Sequence, residues 1–188
     1  MDKYYFIKTT RPLNFASLSD LIGSHLGYQI EIITRDEQTG YFSAPSDLAV
    51  DLSSYLPLLS NDFNAGILIF VSPKKDEIAE LFLKRTPIKN PGLYHLSELL
   101  LAALIDREET IIQTVAKTFR SIPHQLLQTA DVYIQCGLNG NLAAEKLYLH
   151  RNTFLYRLNQ FYRLTGIDIR DYWNAQYFAL VKQILINE

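Results

Sequence analysis

Residues 151–160 hold a concentrated set of basic and hydrogen-bonding side chains. Arginine, asparagine and threonine follow one another at 151–153, and further polar residues recur within the next two helical turns. Arginine and asparagine can form paired hydrogen bonds with guanine and adenine edges, whereas Lys, Arg, Thr and Tyr also reach phosphate oxygens. These residue types therefore indicate DNA recognition. The predicted DNA contacts are Asn141, Lys146, Arg151, Asn152, Thr153, Tyr156, Arg157 and Gln160.

A first helix that would help to position these side chains is predicted just before them. Asn141 is suited to be its N-cap, because an asparagine oxygen accepts hydrogen bonds from backbone N–H groups of the first turn. Alanine and leucine then recur at helical spacing over 142–147. A short joint at 148–150 follows, in which His150 is better suited to cap the next helix than to act as a base or a ligand.

The second predicted helix carries the polar face on one side and an apolar stripe on the other. Phe154, Leu158 and Phe161 stand at i, i+4 and i+7, so they share one face that can pack on the small alanines of the first helix. Gly166 is predicted to end this helix in a left-handed conformation. Two short helices in this order are typical of a DNA-reading helix-turn-helix, although a plain helical bundle with a basic exposed face gives a similar pattern.

Residues 126–185 resemble the C-terminal helix-turn-helix of PucR-type regulators, the sugar-diacid (CdaR) group, which is itself similar to the Fis-type DNA-binding fold. His-Arg-Asn-Thr at 150–153, followed two residues later by Tyr-Arg-Leu at 156–158, is the most distinctive part of the resemblance. The resemblance implies an all-α domain that binds double-stranded DNA and regulates transcription. Its other residues are Gly140, Asn141, Ala143, Ala144, Leu147, Leu149 and Leu164 to Asp168.

Charge is distributed unevenly along the 188 residues, which carry a net charge of −2 and are 48% apolar. Residues 1–106 hold 9 Lys and Arg against 13 Asp and Glu, a net −4, whereas residues 107–188 hold 9 against 7, a net +2. Within 141–165 four basic residues face one acidic residue, a net +3. The basic charge is thus concentrated where phosphates would lie, but it is modest for a DNA-binding protein, which favours a dimer.

Cellular location is indicated by features that are missing from the sequence. Cys136 is the single cysteine, so no internal disulfide can form, and it is best explained as a buried small residue. The N-terminus does not resemble a secretion signal, and the apolar runs at 65–71 and 99–105 are too short to cross a bilayer. A cytoplasmic protein without a membrane segment is expected.

Residues 1–85 are predicted to form a small α+β domain. The order of its elements resembles small sensor domains of the GAF and PAS kind, although no residue matches a ligand-binding motif, so an effector is unknown. The predicted elements are strands at 4–7, 28–34, 41–43 and 64–71 and helices at 15–26 and 76–84, with a turn at 36–40 that makes a hairpin.

The rest of the predicted organisation is a linker at 86–95, a connecting helix at 96–120 and the helix-turn-helix domain at 121–188. Two prolines and a glycine favour the linker, and Ser97 can cap the connecting helix. Leu101, Leu104, Ile112 and their apolar neighbours follow a seven-residue rhythm. That seam favours a homodimer, and the alternative is packing on the chain's own sensor domain.

Catalysis finds no support in the sequence. The four histidines are scattered, and no His, Cys, Asp or Glu pair has the spacing of metal ligands, so no metal, cofactor or enzymatic activity is predicted. The predicted fold class is α+β, with a sensor-like N-terminal domain, a connecting helix and an all-α helix-turn-helix domain. The predicted function is a dimeric, sequence-specific DNA-binding regulator of transcription. A scaffold that kept the helix-turn-helix fold without binding DNA, and a metabolite-binding sensor, are the alternatives.

Overall fold

The computed structural model describes residues 2–187, which divide into two compact units between Leu99 and Leu100. The first unit combines a sheet with helices, and the second is helical. This confirms the predicted fold class at the level of an α+β N-terminal part and an all-α C-terminal part. The elements before the division are β1 (Asp2–Thr9), α1 (Phe15–Leu26), β2 (Ile33–Thr34), β3 (Thr39–Pro45), α2 (Leu48–Asp62), β4 (Ile67–Ser72), α3 (Glu77–Arg85) and β5 (Gly92–His95), and α4 (Leu96–Ile105) runs across it.

The strands of residues 2–99 form a five-stranded mixed sheet in the order β2-β3-β1-β4-β5. Strand β1 lies at the centre and pairs antiparallel with β3 and β4, whereas β4 and β5 run parallel. Alternate side chains of β1 point to opposite faces. Tyr5 stacks on Phe42 in the core that α1 and α2 share, with ring centroids 4.9 Å apart. On the other face Phe6 stacks on Phe70 at 4.9 Å, so both faces of the sheet are covered.

Two elements of this unit differ from the sequence-based expectation. Helix α2 is absent from the predicted elements, although Leu48, Leu52 and Leu59 recur at helical spacing and are buried. Pro57 lies inside this helix and weakens its signal, because proline removes a backbone donor. The strand predicted at 28–34 shrinks to β2, since residues 28–32 pack alternate side chains on the core without joining the ladder.

The segment predicted to be a linker, residues 86–95, contains β5 instead. This strand pairs with β4 in parallel register, Leu93 opposite Ile69 and Tyr94 opposite Phe70. Both prolines of the segment precede the strand, where they interrupt no ladder bond. The linker prediction is therefore wrong for residues 92–95.

The predicted uninterrupted helix over 96–120 is wrong, because the chain turns at Arg107 between α4 and α5 (Glu109–Arg120). Arg107 takes a left-handed conformation with φ 54°, which no helix interior accommodates. Ser97 does not cap α4 either. Leu96 is already helical, and the Glu98 carboxylate accepts a 2.7 Å hydrogen bond from the His95 N–H, as a first-turn glutamate does in a capping box.

The helices of the second unit pack into a bundle. After α5 come α6 (His124–Gln135), α7 (Gly140–Lys146), α8 (Arg151–Thr165) and α9 (Tyr172–Asn187). Phe119 of α5 is 1% exposed, and its ring packs on those of Tyr177 and Phe178 of α9. The ring centroids are 6.2 and 6.0 Å apart. Ile111 and Val115 of α5 are also buried. The α5 part of the predicted dimer seam is thus part of the domain's own core.

The part of the chain that the structure describes has neither a membrane-spanning helix nor a cluster of potential metal ligands. No helix within residues 2–187 combines the length and the apolar character needed to cross a bilayer. The same residues contain no group of three or more His, Cys, Asp or Glu side chains that could hold a metal ion.

Candidate nucleic-acid interface

Helix α7, the first helix of the candidate interface, begins two residues earlier than expected. Asn139 is its N-cap, and the Asn139 Oδ1 accepts hydrogen bonds from the backbone N–H groups of Asn141 and Leu142, each at 3.1 Å. The prediction that Asn141 is the N-cap is wrong, because Asn141 lies inside the first turn and donates to the true cap. Its side chain is exposed. Both asparagines suit a cap by type, so only the backbone geometry distinguishes them.

Helix α8 begins and ends where the sequence predicts. His150 has an extended backbone, and its Nδ1 accepts a hydrogen bond from the Asn152 N–H at 3.2 Å, so it is the N-cap. Gly166 follows the last turn with φ 71°, and its N–H donates to the Tyr162 carbonyl. Residues 151–165 are therefore fixed as one helix of about four turns.

The apolar stripe of α8 anchors it to α6, α7 and α9. Phe154, Leu158 and Phe161 are all buried, as predicted, and so are the alanines of α7. Phe161 meets Phe178 of α9 edge to face at 5.0 Å. At the crossing with α7, a Cβ added to Gly140 would lie 3.3 Å from a ring carbon of Phe154, so the two helices approach closely there.

The opposite face of α8 is polar and open to solvent. Arg151, Asn152 and Thr153 are exposed in the first turn, and Tyr156 is 63% exposed one turn later. At about 100° per residue, Asn152, Tyr156 and Arg163 point most directly away from the buried stripe. Arg151 lies on one flank of that face. Of the other predicted contacts, Arg157 and Gln160 are half-buried, whereas Lys146 and Asn141 are exposed on α7.

Three exposed residues that the predicted contact set omits belong to this surface, Tyr148, Asn159 and Arg163. Asn159 is exposed and lies one turn beyond Tyr156 on the same face. Tyr148, in the turn between the helices, is 97% exposed. Helical spacing alone would have included Asn159, whereas the turn has no periodicity from which the direction of Tyr148 could be predicted.

The basic side chains of the interface are available to an anionic partner. Among residues 2–187, none of Lys146, Arg151, Arg157 and Arg163 forms an ion pair. The one acidic residue of the two helices, Glu145, leaves the segment 141–165 with a net charge of +3. A surface of this sign, with donors that point outward from a rigid helix, is suited to phosphates and base edges.

Two ion pairs of the helical unit lie outside α7 and α8, among the segments that support them. Lys182 of α9 contacts both carboxylate oxygens of Asp131 on α6 at 2.6 Å, in a half-buried position. After α8, Arg170 binds the Asp168 carboxylate, and the hydrogen bonds raise the pKa of Arg170 above its ordinary value. Burial raises the pKa of Tyr133, whose ring packs under α8. The first ion pair joins α9 to α6, the second lies in the segment after α8, and the Tyr133 ring joins α6 to α8.

Comparison with known proteins identifies the domain that contains this surface. Residues 126–181 match the PucR C-terminal helix-turn-helix domain. An uncharacterized protein of Bacillus subtilis (strain 168), YxkF, is 35% identical over 77 residues, which make up 41% of this chain and 26% of that protein. The proline-responsive transcriptional activator PutR of the same organism is 38% identical over 48 residues, 26% of this chain and 12% of its own length. The chain thus matches about a quarter or less of these curated relatives.

A solved structure of a bacterial regulator aligns with the whole chain. It is the crystal structure of a regulator of polyketide synthase expression from Bifidobacterium adolescentis, of which the alignment covers 82%. The sequence identity is 15% and the TM-score is 0.49.

Proposed function

We propose that this chain, whose residues 126–181 carry a PucR C-terminal helix-turn-helix domain, is a sequence-specific DNA-binding regulator of transcription. The observation that carries the proposal is the first turn of α8. There three consecutive side chains, Arg151, Asn152 and Thr153, are exposed on a helix whose other face is locked into the domain core. In helix-turn-helix proteins the N-terminal residues of the second helix contact base edges in the major groove. The transcriptional role named for PutR is consistent with this.

The side chains of the first turn are assigned to base reading. Arg151 has the fork geometry for the O6 and N7 atoms of guanine, and Asn152 has the donor and acceptor pair for adenine. Thr153 reaches a phosphate or a thymine methyl group. Tyr156 and Gln160 continue the same face along the groove.

The flanking residues are assigned to the phosphate backbone. Arg157 is half-buried at the edge of the α8 face, and Lys146 and Asn141 are exposed on α7. In this class of domain the first helix crosses the backbone, and contacts of this kind fix register without reading sequence.

A homodimer is part of the proposal, because one recognition helix covers only a few base pairs. Specific complexes reach dissociation constants of about 10⁻⁸ M or lower, usually with two half-sites about 34 Å or a multiple of it apart. Because the α5 part of the predicted seam is buried, we assign the dimer contact to α4. There Leu101 is 47% exposed and Ile105 is 72% exposed. An effector of the N-terminal unit stays a prediction, and so does the cytoplasmic location.

Selection of binding sites from random duplex DNA tests the proposal directly. The full chain is expected to enrich one sequence, a pair of half-sites related by two-fold symmetry. Titration of that duplex and of a scrambled duplex should then give affinities that differ about 10³-fold or more at physiological salt. Failure to enrich any sequence, with equally weak binding of both duplexes, would contradict the proposal and favour a scaffold that does not read DNA.

A further inference from the structure

The turn between α7 and α8 is closed by two paired backbone hydrogen bonds around a left-handed residue. The Tyr148 N–H donates to the Glu145 carbonyl at 2.9 Å, and the Leu149 N–H donates to the Ala144 carbonyl at 2.9 Å. Tyr148 itself has φ 53°. Helices often end in this way, and the left-handed position is usually glycine or asparagine.

The same pair of backbone hydrogen bonds closes the end of α6, with the favoured residue at the left-handed position. The Gly137 N–H donates to the Ile134 carbonyl at 2.9 Å, the Leu138 N–H donates to the Tyr133 carbonyl at 3.0 Å, and Gly137 has φ 63°. A side chain at such a position brings its Cβ close to the backbone, which glycine avoids. Tyr148 thus makes the turn less stable than glycine or asparagine would.

Packing does not offset this strain, because the side chain of Tyr148 is 97% exposed. Exposing a large aromatic ring in a strained turn contributes nothing to the fold. Strained residues that persist in a structure concentrate at functional sites. Arg107 occupies the equivalent position after α4 with φ 54°, so strain alone does not mark a DNA contact. What distinguishes Tyr148 is its place three residues before Arg151, beside the exposed first turn of α8.

We propose that Tyr148 is a DNA-backbone contact, in which its phenol O–H donates a hydrogen bond to a phosphate oxygen at the edge of the groove that α8 enters. This inference rests on the proposed function. A phosphate is the expected acceptor because the residue lies in the turn outside the base-reading face, and tyrosine is among the side chains that bind phosphates. Since the phenol is uncharged, the contact releases no counterion, unlike a contact from lysine or arginine.

Titration of Tyr148→Phe on the selected duplex and on random DNA over several salt concentrations tests this contact. Loss of a hydrogen bond to a charged acceptor should weaken both complexes by the same factor, about tenfold, with the salt slope unchanged. Tyr172→Phe is the matched control, an exposed tyrosine of α9 whose hydroxyl accepts a hydrogen bond from Gln176, and it should leave binding unchanged.

A second variant separates binding from folding. Tyr148→Asn removes the phenol and relieves the left-handed strain, so Tm should rise by a few degrees while DNA binding falls as in Tyr148→Phe. Arg107→Asn should raise Tm in the same way, but it should not show the loss of DNA affinity that both Tyr148 variants share.

Three results would overturn the contact. They are unchanged affinity of Tyr148→Phe, a loss confined to the selected duplex, and a loss accompanied by a lower salt slope. If Tyr148→Phe binds normally while the arginine variants of α8 lose affinity, the proposed function stands and only this contact fails. If the wild-type chain binds no DNA, the proposed function itself has failed.

Discussion

Phe154 on α8 packs against Tyr133 on α6, with ring centroids 5.8 Å apart and ring planes inclined by 58°. Phe154 is 1% exposed, and it directly follows the three exposed side chains of the first turn. One aromatic ring therefore holds the start of the candidate recognition helix against the domain core. The direction in which Arg151 to Thr153 point depends on this anchor.

Replacing Phe154 with alanine should destabilise and unfold the C-terminal unit. It should not act by changing the exposed side chains of α8. Loss of a fully buried aromatic side chain costs about 3 to 5 kcal/mol, a large part of the stability of a small unit. Urea denaturation followed by circular dichroism measures this loss. Leu155→Ala is the control. The side chain of Leu155, the next residue, is 38% exposed, so its loss should lower the free energy of unfolding by less than about 1 kcal/mol. Equal losses for the two variants would contradict the anchoring role.

The two asparagines at the start of α7 should separate stability from binding. Asn139→Ala removes the cap that bonds two backbone N–H groups, so the free energy of unfolding should fall by about 1 kcal/mol. Asn141→Ala should leave stability within about 0.5 kcal/mol but weaken DNA binding, because its exposed side chain is assigned to a phosphate. Thermal melts and DNA titrations of both variants check this. A larger destabilisation by Asn141→Ala would mean that Asn141 is the cap after all.

Arg151→Ala should reduce affinity for the selected duplex by about 1 to 3 kcal/mol and relax the preference at one base pair. The reason is that its paired hydrogen bonds to one guanine are lost while the phosphate contacts remain. Repeating the site selection with the variant reveals which position loses its preference. An unchanged consensus, with the fold intact by circular dichroism, would remove Arg151 from the base-reading set.

Arg157→Ala should weaken binding to the selected duplex and to random DNA alike. Because one phosphate is no longer neutralised, the slope of log K against log salt should fall in magnitude by about one. Lys117→Ala is a control of equal charge, since Lys117 is exposed on α5 and outside the α7–α8 surface. If Lys117→Ala gives the same loss, the effect comes from overall charge and Arg157 has no specific contact.

Helical periodicity made the C-terminal unit the predictable part of this chain. Phe154, Leu158 and Phe161 define the buried stripe of α8 by spacing alone, and the bounds of α8 follow from a histidine cap and a glycine end. The sequence does not distinguish Asn139 from Asn141 as the cap of α7, because both are asparagines and only the backbone conformation differs. Local pattern determines such elements because their contacts are close in sequence.

The features that the sequence did not predict depend on contacts between distant residues. Leu93 pairs with Ile69, which is a parallel ladder that no local signal near the prolines at 87 and 91 reveals. The apolar spacing across residues 101–119 correctly indicates a buried face. Phe119 at its end, however, packs on the aromatic residues of α9 within the same chain. Periodicity shows that a face is buried and does not show which partner covers it.

What remains of the predicted seam is the exposed face of α4. Leu101 and Ile105 lie four residues apart, so they share one side of the helix, next to the exposed Ala102. The five residues from Leu101 to Ile105 are too few to form a coiled coil, so a dimer through this face needs further contacts from each copy. The apolar pair would then form the centre of the interface.

The chain should be a homodimer at micromolar concentration, and Ile105→Glu should shift it towards monomer. A charge placed at the centre of an apolar contact loses hydration without gaining a partner, whereas at an exposed position of the monomer it costs little. Light scattering after gel filtration measures the mass of each species. Leu58→Glu makes the same substitution at an exposed leucine of α2, 54% accessible, and should leave the mass unchanged. A wild-type monomer at these concentrations would remove the dimer from the proposal. A dimer that survives both Leu101→Glu and Ile105→Glu would instead place the interface away from α4.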